Sequence, residues 1–102
     1  MKRVVISGMG LVSPLGNNKA ETLESLRETR SGIKFQEAYK EMGLRSHVAG
    51  SIDIDIDGLI DRKLRRFMGD AAAFSYIALV EAIMDAGLEE SEVSNVRTGI
   101  VA

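Results

Sequence analysis

The sequence has no cysteine and no tryptophan, one proline, one histidine, two tyrosines and three phenylalanines among 102 residues. Without cysteine these residues hold no disulfide framework, no zinc ribbon and no thiol nucleophile. That composition fits a cytosolic protein. The one histidine, His47, has no Asp or Glu near it at a catalytic or ligand spacing, which reads as a structural or surface role. Neither sign of charge dominates, with 13 Lys and Arg against 15 Asp and Glu. The net charge is −2, which argues against a protein built wholly around nucleic acid. No apolar run is long enough to span a membrane. Met1-Lys2-Arg3 followed by VVISGMGLV imitates the start of a secretory leader, but Gly8 and Gly10 interrupt the run and no small-x-small cleavage site follows.

The hydrophobic share of 45% and charged share of 27% are ordinary for a globular protein. The length suits one small domain, which at this size buries roughly 65% of its unfolded surface. Lys2–Met9 reads as a strand with Val4, Val5 and Ile6 buried, and Gly8, Gly10, Ser13, Pro14 and Gly16 as the loop after it. A helix follows, with Asn18 as its cap, Glu21 completing a capping-box-like pair, Leu23 and Leu26 on one face, and Gly32 as its stop. Residues 33–47 read as irregular or weakly helical, and 48–56 as a short strand. Asp61–Met68 reads as a short basic helix. Asp70 then caps a longer helix that ends at Gly87 and has a wide, buried apolar surface. Arg97–Ala102 reads as a last strand. The order β, α, β, α, β implies an α/β fold with parallel strands and right-handed crossover helices. A chain that stops inside such a strand reads as a piece of a larger protein.

Three stretches carry candidate chemistry. DIDIDG opens like an EF-hand loop, with Asp53, Asp55 and Asp57 as oxygen donors and Gly58 at the sharp turn. The bidentate Glu expected at the twelfth position is Leu64, and Ile52, Ile54 and Ile56 alternate as in a strand. The bland reading is therefore a strand with a charged outer face. ISGMGLVSPLG lies between a strand and a helix, but a dinucleotide fingerprint needs glycine where Ser13 stands, and the helix starts too late, near Asn18. DRKLRRFM places Arg62, Lys63, Arg65 and Arg66 within five positions. Arg62 and Arg66 share a helix face, while Leu64 and Phe67 share another that could anchor to a core. The field suits an acidic partner. The competing reading is a solvated face balanced by Asp61 and Asp70.

Taken together, VVISGMGLVSPLGNN, LRETRSGI, GLRSHVAG, GLIDRKLRRFMGDA, and EAIMDAGL before RTGIVA resemble, in order and spacing, the start of the condensing enzymes, the β-ketoacyl synthases. RSHV, and GLIDRK followed two residues later by RFM, point to the type I synthases of bacterial type II fatty acid synthesis. The resemblance spans all of residues 1–102 and about the first quarter of the family's length. It implies the N-terminal part of a thiolase-like αβαβα layered fold, here an incomplete N-terminal domain with no second domain, from a cytoplasmic homodimer. It also implies a decarboxylative Claisen condensation between a cysteine-bound acyl group and malonyl-carrier protein, needing no metal or nucleotide cofactor. The family's cysteine, both histidines and conserved lysine lie beyond Ala102, and His47 matches none of them. These residues are therefore expected to carry no catalytic group. The family's acyl-carrier-protein docking patch carries over onto Arg62, Lys63 and Arg66, with Arg65 as an additional charge. Two other readings compete: a stand-alone module that binds an acidic partner without catalysis, and a calcium-binding module. Residues 1–102 on their own are expected to expose apolar faces and to self-associate.

Overall fold

The computed structural model describes residues 1–102. Its elements, in order, are α1 (Lys19–Arg27), β1 (Ile33–Phe35), α2 (Glu37–Glu41), β2 (Val48–Gly50), α3 (Ile56–Leu59), α4 (Arg62–Arg65), α5 (Asp70–Ala86) and α6 (Glu90–Val93). This is a mixed helix and strand arrangement dominated by α5.

The first helix begins where its cap predicts. The Asn18 side chain accepts the Glu21 amide at 2.9 Å. Glu21 reaches back one residue further than a capping box requires, accepting from the Asn17 amide at 2.8 Å. The end differs from the expectation. The helix stops at Arg27, and Thr29 takes the left-handed position with φ 55°. The Arg30 amide donates to the Ser25 carbonyl and the Thr29 amide to the Leu26 carbonyl, which is the paired closure of a Schellman motif. Gly32 is buried, and a Cβ there would stand 2.8 Å from the Pro14 Cβ. Its small size permits a close approach instead of ending the helix.

The sheet corrects the sequence reading most sharply. It has two strands, and they are antiparallel, with Ile33 opposite Gly50, Lys34 opposite Ala49 and Phe35 opposite Val48. Neither Lys2–Met9 nor Arg97–Ala102 forms a strand, and the strand expected over 48–56 ends at Gly50. A strand requires a neighbour for its amides and carbonyls, and nothing in these 102 residues supplies one to either terminal segment. From Ile56 the chain turns helical because Asp55 caps α3, accepting the Gly58 amide at 3.1 Å.

The N-terminal segment lies on α5 instead. A Cβ on Gly8 would stand 2.5 Å from the Ala82 carbonyl oxygen, and one on Gly10 1.9 Å from that of Ala78. Two residues of extended chain advance about 6.6 Å and four of helix about 6 Å, so the glycines step along α5 in register with its alanines. The Met9 amide donates to Asp85 at 3.0 Å and the Leu11 amide to Glu81 at 2.9 Å. Carboxylates take the place that carbonyls of a neighbouring strand would fill.

Asp70 does not cap α5. It is the first helical residue, after Gly69, and its carboxylate binds Arg65. The C-terminus closes on Gly87 at φ 68°, as the sequence predicts. The apolar surface of α5 is less covered than expected, with Ala73 buried but Met84 76% exposed. Only five residues in the chain are buried, Thr22, Ser25, Gly32, Ile60 and Ala73. No helix is long and apolar enough to cross a membrane.

Candidate functional site

The basic stretch begins from an anchored residue. Ile60 is 3% exposed, and the next residue, Asp61, caps α4 by accepting the Lys63 amide at 2.7 Å. The turn continues past the helix, with the Arg66 amide donating to the Arg62 carbonyl and the Phe67 amide to that of Leu64. Buried Ile60 and the Asp61 cap together hold the four cations on a fixed backbone.

The cations then separate into two kinds. Arg65 is the least exposed of them. Its guanidinium donates to the Met68 carbonyl and pairs with Asp70 at 2.9 Å, tying α4 to the start of α5. Arg62, Lys63 and Arg66 are exposed and have no carboxylate within 4.0 Å. The balancing role expected of Asp61 and Asp70 fails for these three. Asp61 serves a backbone amide and Asp70 serves Arg65. The four side chains line a shallow surface depression of about 400 Å³ with no apolar residue in its wall. The apolar face does not anchor to a core as expected. Leu64 is 46% and Phe67 80% exposed, and the Arg66 guanidinium carbon lies 4.8 Å from the Phe67 ring centroid.

The other candidate stretches are structural in this fold. Asp55 caps α3, Asp57 lies in that helix's first turn, and the Asp53 carbonyl accepts the Asn17 side-chain amide at 2.7 Å. No three His, Asp or Glu side chains converge as a metal site would require. In the glycine loop, Ser13 and Gly16 exchange backbone hydrogen bonds of 2.9 and 3.1 Å across Pro14 and Leu15. With the Met9 and Leu11 amides facing carboxylates, the loop is set against anionic phosphate. His47 packs edge-on against Phe35 at 5.9 Å.

One cluster has no signal in the sequence. Glu81 and Asp85, four apart on α5, meet Lys19 at the start of α1. Glu81 accepts the Lys19 amide at 2.8 Å, and Asp85 binds the Lys19 ammonium. The hydrogen bond from the Lys19 ammonium, followed by that from the Met9 amide, holds the Asp85 carboxyl below its usual range. No motif or spacing in the sequence ties this pair to Lys19, 62 and 66 positions earlier in the chain.

The model of the β-ketoacyl synthase N-terminal domain matches residues 1–102. Over 101 residues the chain is 54% identical to 3-oxoacyl-[acyl-carrier-protein] synthase 1 of Haemophilus influenzae, covering 99% of this chain and 25% of that protein. The corresponding synthase 1 of Escherichia coli is 52% identical over 103 residues, again with 25% of its length covered. Synthase 2 of Vibrio harveyi is 32% identical over 100 residues, with 97% of this chain and 24% of that protein covered. The chain thus spans about a quarter of the length of the curated relatives it matches, and is more similar to these synthases 1 than to that synthase 2. On the match to residues 1–102, the chain belongs to the β-ketoacyl synthase family, in its N-terminal domain.

Proposed function

We propose that residues 1–102 are the carrier-docking N-terminal segment of a type 1 β-ketoacyl-[acyl-carrier-protein] synthase. That enzyme elongates acyl chains by decarboxylative condensation with malonyl-carrier protein. The observation that carries the docking role is the separation within α4: Arg65 is tied to Asp70, while Arg62, Lys63 and Arg66 are exposed without carboxylate partners. A cluster of unpaired cations on a short, capped turn attracts an acidic protein, raises the rate of encounter and loses effect as salt rises. Synthase 1 relatives are named for acyl carrier protein, which supports that partner.

In this reading the nucleophilic cysteine and its histidines belong to further residues of the enzyme, which works as a cytoplasmic homodimer with the layered parallel fold. The terminal segments, unpaired here, join its sheets. No cofactor is required. The test is the pair Lys63→Glu with Arg66→Glu in the full-length enzyme. Carrier-protein affinity at low salt should fall at least about tenfold, and an unchanged affinity sinks the docking role.

A second reading is favoured by the self-contained geometry of α4, whose cap, ion pair and buried anchor all lie between Ile60 and Asp70. A binding module without catalysis could use the same surface. Reading the coding frame past codon 102 separates the two. A frame that continues to a cysteine and two histidines at family spacings supports the synthase, and a stop codon there supports the module.

A further inference from the structure

Phe67 follows the free cations directly and is 80% exposed. It does not hang from a frayed end. Its amide donates to the Leu64 carbonyl at 3.1 Å, and the next amide, of Met68, donates to Arg65 at 3.0 Å. Lys63 lies four residues before it and half-exposed Leu64 three before, spacings that bring side chains together on a helical turn. The Arg66 guanidinium stacks on the ring, 4.8 Å from its centroid. That contact covers one face of the ring and leaves the other to solvent. It also joins the aromatic and the basic patch into one surface.

Charges at a rim set encounter rate and orientation, but exposed ion pairs add little affinity. Affinity comes mostly from a few apolar or aromatic anchors that a partner desolvates. On this surface, the ordered aromatic beside the unpaired cations fits that role. A second copy of the chain is a poor occupant, because a symmetric contact through α4 brings like cations together. Charge complementarity selects an acidic partner.

We propose that Phe67 is the apolar anchor of the α4 docking surface and receives a non-polar side chain that an acidic protein partner presents among its carboxylates. The proposal rests on the docking reading above. When such a partner binds, its carboxylates pair with Arg62, Lys63 and Arg66, and Arg66 remains stacked on the ring that the partner's apolar residue covers.

The test uses the full-length enzyme titrated with acyl carrier protein at low and high salt. Phe67→Ala should weaken binding about tenfold at both, and leave the slope against salt unchanged. Phe67→Leu should restore most of the affinity. Turnover of acyl-pantetheine with malonyl-pantetheine, both free of carrier protein, should match the unsubstituted enzyme. Unchanged affinity for Phe67→Ala, loss of turnover on the carrier-free thioesters, or a change in sedimentation mass would each overturn the anchor. The second of these would mean a structural role, and the third a contact between copies. If Lys63→Glu with Arg66→Glu also leaves binding intact, the docking reading fails. If that pair weakens binding and Phe67→Ala does not, only the anchor fails.

Discussion

Arg65 and Arg66 are neighbours with the same charge, and the fold gives them opposite surroundings. Arg65 reaches across to the Met68 carbonyl and Asp70, while Arg66 lies over the Phe67 ring with no carboxylate near it. The sequence places four cations in five positions and could not assign them. Which carboxylate each one meets depends on how α5 starts, and an N-cap at Asp70 was as consistent with the pattern as a bridge from it. Asp85 is the opposite case, a residue silent in the sequence whose fold-given partners shift its titration. Its carboxyl is held below the ordinary value by Lys19 and then by the Met9 amide. A lowered carboxylate contributes at pH values above the unfolded value of about 3.9, and the contribution is lost as pH falls through the lowered value. The Met9 amide resonance should therefore titrate with a midpoint below about 3.9. A midpoint at or above that value would contradict the contact.

At the scale of elements, caps decided what the sequence could foretell. Asn18 starts α1 and Gly87 ends α5, because both are local hydrogen-bonding arrangements that short-range sequence specifies. The terminal segments form no strand within residues 1–102 for the complementary reason. Val4, Val5 and Ile6 have strand character, but a strand is made by pairing with residues far along the chain, and the available surface was α5. The Gly8 and Gly10 spacing has its meaning there, as close approach to Ala82 and Ala78, and not as a phosphate cradle. The end of α1 was missed because a β-branched residue occupies the left-handed position of its Schellman closure. That conformation costs a non-glycine residue about 1–2 kcal/mol. Glycine relieves this and gives back about 0.5–1 kcal/mol through its freer unfolded chain. In the full-length enzyme, Thr29→Gly should therefore raise stability by about 0.5–1 kcal/mol in chemical denaturation. A loss of stability would mean that the threonine side chain makes a compensating contact.

The whole molecule is expanded for its length. Its accessible surface is 8571 Å², against about 5,700 Å² for a folded monomer of this mass. Its radius of gyration is 17.0 Å, against about 13 Å for a compact domain of this length. The excess lies on apolar side chains such as Val4 at 94%, Ile6 at 85% and Ile100 at 77% exposure. The sequence predicts that residues 1–102 on their own expose apolar faces, and they do; composition reports how much apolar material exists and not whether these residues alone can cover it. Residues 1–102 alone should associate at micromolar concentration, with sedimentation mass rising with concentration. A cooperatively unfolding monomer would contradict this. The proposed docking surface differs, because its fixed backbone is local to Ile60–Asp70 and its charges act on the molecular field as a whole. The most direct measurement is the association rate of the full-length enzyme with acyl carrier protein at two ionic strengths. Reversing Arg62, Lys63 and Arg66 to glutamate should cut the low-salt rate at least about tenfold and flatten its salt dependence. Arg65→Gln, which removes an already paired charge, should leave both nearly as they were. Equal rates for the triple reversal and the unsubstituted enzyme, or an equal loss from Arg65→Gln, would contradict the assignment of the three unpaired cations as the docking residues.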